Sequence, residues 1–370
     1  MKCSPPQKSS CEMVGKLQNE LPLSLHIIQI LLNRGYKTVE EIKDFLSPSL
    51  DNLSDPFIFS DMNKATDRII KAIKEKEPIL IYGDYDVDGI SSVVLLVRNL
   101  HKLNANPFYY IPHRIREGYG ISEQSIRSIK ERGFKLIITV DCGINAASEI
   151  RLAKELGMDV IVTDHHTPKN NLKDAFAIIN PKEKDEKYPF KELAGVGVAF
   201  KLLEALLVKI KREREELLKD LDLVALGTIA DIVPLTKENR ILAKRGIETL
   251  NRTDKTGLLA LIQKSGLKKE NIGTYEIGFV LGPRLNASGR LDTAVKSVEL
   301  LLTEDRERAW EYATFLDETN KMRQELHKKV MKESIEIIKR ERYDKGINGI
   351  VLAKKDWHEG VVGIAASKIA

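Results

Sequence analysis

The sequence predicts an α/β protein: a mainly parallel, doubly wound sheet with a helical N-terminal segment, a long connecting helix and the opening of a second α/β domain. Three observations carry that expectation. Between residues 78 and about 180, short β-branched runs alternate with helix-period stretches, and strands buried on both faces and separated by helices indicate a parallel sheet. Three of these runs end in aspartate or histidine. Finally, neither glycine nor proline interrupts the chain between Gly289 and Gly346. The segment "TEDRERAWEYATFLDETNKMRQELHKKVMKESIEIIKRER" therefore has room for one helix on the order of 60 Å long.

Taken in order, residues 1–75 read as helical behind a polar tail that holds Cys3 and Cys11. "PLSLHIIQILLNRG" and "TVEEIKDFLSP" carry helix-period apolar positions closed by Gly or Pro breakers. "SDMNKATDRIIKAIKEKE" follows, with Ile69, Ile70 and Ile73 on one face. Residues 76–250 form the core: "PILIYG", "NPFYYIPHR", "KLIITVD", "DVIVTD" and "AFAIIN" are strand candidates. "GVGVAFKLLEALLVKI" and "DLDLVALGTIADIVPL" read as helices, with "KREREELLKD" between them as a solvated helix face. Residues 251–345 form a helical bridge that includes the long helix, and 346–370 begin a second domain with strand candidate "INGIVLAKK" and helix "GVVGIAASKIA". That second domain starts without finishing.

Composition narrows the function classes. Of 370 residues, 42% are hydrophobic and 31% charged, ordinary for a globular protein. No apolar run approaches about 18 residues, so no membrane span is expected, and the start lacks a secretory signal, which reads as cytoplasmic. Three cysteines argue against a disulfide framework, and Cys142 reads as a small buried residue. The net charge of +5 permits a polyanionic partner without establishing one. Aromatics at 6% give no stacking platform by composition alone.

The chemistry is concentrated in "PILIYGDYDVDGISSVVLLV", where an apolar run breaks into Asp84, Asp86 and Asp88. Close carboxylates in a poorly solvated cleft repel one another strongly. In an open parallel sheet, residues after the strands point into one crevice at the carboxyl edge. Asp141 follows "IITV", Asp164, His165 and His166 follow "VIVT", and Asp231 sits in the apolar "GTIADIVPL". A lone strand-end Asp is usually a turn residue or helix cap; the set as a whole assembles several oxygen ligands and one or two imidazoles. Divalent cations would neutralise the repulsion, and the mixed donors favour manganese over calcium or magnesium. A calcium loop fails because its twelfth position would be Leu95 instead of a glutamate, after a strand instead of a helix. An aspartyl phosphotransferase would leave "DHH" unexplained. Two cations about 4 Å apart suit in-line displacement at phosphorus, so hydrolysis of a phosphate ester or anhydride is implied.

These residues resemble the DHH phosphoesterase superfamily and, within it, the RecJ family of single-strand-specific exonucleases. "GDYDVDGISS", "VDCGI", "TDHHTP", "INPK", "YPFKELAGVGVAFKLLEAL", "ALGTIADIVPL", "GPRLNASGRLDTA" and "WHEGVVGIAASKI" occur in the family's order across nearly the whole chain. The resemblance implies a 5′→3′ exonuclease on single-stranded DNA in repair and recombination, using two Mn2+ (or Mg2+) ions. It implies Asp86, Asp88, Asp141, His165 and Asp231 as ligands, with Asp84 as an outer ligand or neighbouring carboxylate. His166 would contact the scissile phosphate or assist proton transfer, and Asp164 would orient an imidazole. Arg114, Arg284, Asn286 and Arg290 resemble positions that hold backbone phosphates; Arg116 reads equally as a solvated arginine. His358 would face the cleft or serve the fold. Single-strand-binding protein and a helicase are the implied partners. Two alternatives keep the same core: a phosphoesterase acting on short oligonucleotides or cyclic dinucleotides, and a scaffold protein with a degenerate centre. The intact acids and the His doublet argue against the scaffold.

Overall fold

The computed structural model describes residues 11–369 except 115, 119, 170–171 and 342–348. Its sheet has five parallel strands in the order β2-β1-β3-β4-β5: β1 Pro78–Gly83, β2 Asn106–Tyr110, β3 Leu136–Val140, β4 Asp159–Thr163 and β5 Ala177–Ile179. The side-chain period of two divides each strand between two cores. Ile79, Ile81, Ile138, Val140 and Ile161 pack in the larger core, with helices Val87–Lys102 and Gly195–Lys209. Leu80, Tyr82, Ile137 and Val162 pack in the smaller one, with helices Glu123–Glu131 and Ala147–Glu155. The doubly wound reading holds.

The strand order reverses direction between β1 and β3, and such a switch point opens a crevice at the carboxyl edge. Register aligns the rim of that crevice. Gly83 pairs with Val140, Val140 with Thr163, and Thr163 with Ile179. The next residues, Asp84, Asp141, Asp164 and Asn180, therefore emerge level with one another.

Helices Leu25–Asn33 and Val39–Leu46 share a small core of their own built on Ile28, Leu31 and Ile42. Arg240 fastens them to the main body, its guanidinium 3.5 Å over the Phe45 ring while it donates to the Phe45 carbonyl. The long helix runs Arg306–Arg340, 35 residues, about 52 Å at about 1.5 Å per residue. Asp305 starts it by accepting from the Glu307 and Arg308 amides. Near its far end, Val330 packs with Val361 and Ala365 of helix Glu359–Ile369.

Four expectations need correction. "KREREELLKD" is not a continuous solvated helix: only Glu215–Leu218 is helical, after Lys211 ends the preceding helix in the left-handed region at φ 56°. Asp220 within it is buried, paired with Lys102, Lys255 and Arg98. The helix in "DLDLVALGTIADIVPL" stops at Ala230, because Ile232 turns left-handed at φ 63°. Residues 349–356 form no strand; residues 347–348 of that candidate lie outside the described residues. Cys11 opens helix Cys11–Glu20 instead of lying in a tail, and Cys3 lies outside the described residues. Cys142 is buried as expected. Among the described residues no helix is long and apolar enough to cross a membrane.

Candidate metal centre

The loop after β1 is shaped by its own carboxylates. Asp84 is buried and accepts from the Tyr85 amide at 2.8 Å. Asp86 caps helix Val87–Lys102, its Oδ1 accepting from the amides of Asp88 (3.0 Å) and Gly89 (3.1 Å). Asp88, the second residue of that helix, reaches the start of helix Gly195–Lys209. Its Oδ2 accepts from the Gly195 amide at 2.6 Å and its Oδ1 from Val196 at 2.9 Å. The positive end of that helix thus steadies a carboxylate.

Asp141, after β3, sits in the left-handed region at φ 58°, a conformation that is uncommon outside glycine and accumulates at functional sites. It lies beside His165: Asp141 Oδ1 is 3.1 Å from Nε2, and Asp231 Oδ2 and Asp88 Oδ2 are 3.7 and 3.9 Å from the same atom. Asp231 arrives as the cap of helix Leu221–Ala230. Asp164 organises the doublet. Its carboxylate accepts from the amides of His165 (2.7 Å), His166 (3.0 Å) and Ile144 (3.0 Å), and its Oδ1 lies 2.8 Å from His166 Nδ1. Asn180 completes the row by donating to the His166 carbonyl at 2.9 Å.

Electrostatics follow from this crowding. Burial first and Asp86 second push Asp84 up to about 7, and the same two causes push Asp231 to about 6. Burial and neighbouring carboxylates hold Asp88 and Asp141 well above the ordinary carboxylate range. Burial lowers His165 to about 4, whereas the bond to Asp164 raises His166. Asp141 Oδ1 and His165 Nε2 are buried, and neither makes an aligned hydrogen bond. Buried polar atoms are normally satisfied, so these two donors call for a cation. Among the described residues the donor atoms form three overlapping groups, each within 4.8 Å: Asp84, Asp86 and Asp141; Asp88, His165 and Asp231; and Asp141, His165 and His166. Carboxylate and imidazole together suit a divalent transition metal.

A cavity of about 770 Å³ opens beside the centre, lined by Tyr85, Arg114, His166, Lys169 and Arg290 among others. Arg114 lies 4.9 Å from the Tyr85 ring centroid. The other sequence candidates lie elsewhere. Arg284 is held by Asp317 at 2.9 Å and by the Val280 carbonyl at 2.8 Å, an anchor between helices Gly282–Leu291 and Arg306–Arg340. Asn286 accepts from the Val87 amide at 3.0 Å and so steadies the acidic loop. His358 Nδ1 accepts from the Gly360 amide at 3.0 Å, capping the helix that follows. Arg116 is exposed.

Sequence reasoning missed Asn180, Lys169 and two glycines. A Cβ on Gly195 would sit 2.8 Å from Asp141 Cβ and Oδ1, and one on Gly227 would sit 2.6 Å from Asp88 Oδ1. Only a bare backbone leaves room for those carboxylates. The glycines of "AGVGVAF" and "ALGTIAD" were the available signal.

Residues 78–228 match the family model described as "DHH family, N-terminal domain". The chain is 47% identical over 363 residues to the single-stranded-DNA-specific exonuclease RecJ of Bacillus subtilis, covering 98% of this chain and 45% of that protein. A crystal structure of exonuclease RecJ bound to manganese superposes with a TM-score of 0.77 at 34% identity, over 87% of this chain and 79% of the other. RecJ in complex with Mn2+ from Thermus thermophilus gives a TM-score of 0.84 at 30% identity, over 98% of this chain and 51% of the other. The chain thus spans about half the length of its Bacillus relative.

Proposed function

The chain belongs to the RecJ family of DHH phosphoesterases, and starting there we propose that it is a metal-dependent exonuclease releasing mononucleotides from the 5′ end of single-stranded DNA. The observation that carries this reading is the level row of Asp84, Asp141 and Asp164 with the unsatisfied donors Asp141 Oδ1 and His165 Nε2 beside it. Asp86, Asp88, Asp141, His165 and Asp231 would hold two manganese or magnesium ions, with Asp84 against the outer one. Bound there, the cations would neutralise the carboxylates and draw electron density from the phosphoryl oxygens.

The chain's own residues do the rest. Asp164 fixes His166 through Nδ1 and leaves Nε2 as the ring atom with a proton to exchange, here with the departing 3′ oxygen. Arg114 and Arg290 line the cavity, where a guanidinium fork suits phosphate. Arg284, Asn286 and His358 position helices and loops instead. We assign residues 76–250 to the catalytic core, 1–75 to its helical leader, 251–345 to the bridge and 346–370 to the beginning of a second domain. The protein would work in the cytoplasm in repair and recombination, on strand exposed by a helicase and coated by single-strand-binding protein.

Strands labelled at either end, digested with manganese, test the reading. Mononucleotide release from the 5′-labelled end is the expected result; loss beginning at the 3′ end would overturn the polarity, and no cleavage would overturn the nuclease.

A further inference from the structure

A second cavity, of about 520 Å³, opens where the helical leader meets the core, and its described lining shares no residue with the cavity at the metal centre. The leader contributes Arg34, Tyr36 and Phe45; the core contributes Phe190 and the start of helix Lys237–Leu250, with Arg240 in its first turn. That volume is ordinary for a small-molecule site. Aromatic rings form part of the wall. Tyr36 and Phe45 lie 4.5 Å apart, and the Arg240 guanidinium stands 3.5 Å over the Phe45 ring.

The acids in this wall are all engaged. Glu41 accepts from the Lys37 and Thr38 amides at 2.7 and 3.1 Å, and Asp44 accepts from Asn52 at 3.1 Å. Glu238 accepts from the Ser54 and Tyr188 hydroxyls at 2.8 and 2.7 Å and lies 3.5 Å from Lys201 Nζ. The cations are not engaged in this way: among the described residues Arg34, Lys237 and Arg240 form no ion pair. Burial is the first cause that lowers the Arg240 ionisation; Tyr36 opposes it and Arg34 adds to it. Two guanidiniums therefore repel each other here with no carboxylate paired to either. Thr236, at the start of the helix, makes no side-chain cap bond, so the positive helix end adds to the same field.

We propose that this cavity binds a nucleoside monophosphate, with its phosphate among Arg34, Lys237 and Arg240 and its base against the aromatic wall. A guanidinium fork matches phosphate oxygens, a planar base suits an aromatic face, and a dianion relieves the repulsion between the two arginines. Such a ligand touches leader and core together, so its binding stabilises their junction. The choice of a nucleotide rests on the nuclease reading above, in which this same chain releases mononucleotides; the need for an anion beside an aromatic ring does not. The lining also runs into the metal centre. Thr236 and Asp231 share one short connection, as do Phe190 and Gly195, whose amide holds Asp88. A released product seated here rests on the two segments that place Asp231 and Asp88.

The test applies calorimetry and hydrogen exchange to the full chain with thymidine 5′-monophosphate, in chelator so that no metal ion draws the phosphate to the metal centre. Slower amide exchange across residues 34–45 and 236–241 is the expected result. In the Arg34→Glu/Lys237→Glu double variant, whose two positions are exposed and outside the metal centre, affinity should fall at least about tenfold. Thymidine alone and inorganic phosphate alone should each bind more weakly than the nucleotide. Protection confined to residues 84–88 and 164–169, or unchanged affinity in the variant, would place the nucleotide at the metal centre and overturn the site. Phosphate binding as tightly as the nucleotide would overturn the role of the rings. Manganese-dependent hydrolysis of bis(4-nitrophenyl) phosphate, expected to be equal in the variant and the unmodified chain, tests the metal centre separately. Its absence from both would count against the phosphodiesterase reading and leave the nucleotide comparison standing.

Discussion

Asp164 is the residue on which the two histidines depend. It is buried, accepts three backbone amides and also holds His166 Nδ1. An ionised carboxylate can accept all four; an asparagine would turn an NH2 toward donors. Asp164→Asn should therefore lower turnover by about 10–100-fold, the usual effect of removing a partner that orients a site residue. It should also bring the His166 ionisation down, since the bond to Asp164 is the main cause of its rise. A pH–rate profile together with NMR titration of the His166 ring checks both. Full activity with an unmoved histidine would refute the orienting role. Asp231 differs in kind, because it is partly exposed and close to a cluster of like charges.

At the scale of elements, the strand ends are legible because each short β-branched run announces its own end and the acid follows at once. The helix Gly195–Lys209 is legible as a helix, but its work is not. Its first amides grip Asp88 across 107 residues of sequence, and no local pattern announces a partner so distant. The role of Arg284 is illegible for the same reason: an arginine fork looks alike in sequence whether it meets a phosphate or Asp317, and in the fold it meets Asp317. "INGIVLAKK" shows the reverse error: its described residues, 349–355, form no strand despite their β-propensity. Gly195→Ala tests the helix start directly. The new methyl would press on Asp141 at 2.8 Å, and overpacking of this kind costs about 1–3 kcal/mol. Calorimetry should show clearly weaker manganese binding with the far-UV spectrum retained. Unchanged affinity would show that the backbone there can yield.

For the whole molecule, the centre makes stability depend on pH in a direction opposite to ordinary acid denaturation. Without metal, folded Asp84 keeps its proton to about 7 and Asp231 to about 6, and Asp88 and Asp141 keep theirs well beyond the carboxylate range. In the unfolded chain these groups ionise near about pH 4. The folded state thus binds more protons between about pH 4 and pH 7, and its stability falls as pH rises through that window. His166, raised by Asp164, acts in the same sense. His165, lowered to about 4, opposes it between about 4 and about 6.5, but over that interval it is one group against four carboxylates. Metal-free protein should melt at a lower temperature near pH 7 than near pH 5. Excess manganese should restore most of the loss, with an increment that grows over the same interval, because each cation must displace those protons before it binds. Thermal scans in chelator and in manganese across the window measure both slopes. A metal-free midpoint that rises with pH would mean that the carboxylates are ionised and paired some other way, and the metal centre would lose its physical basis.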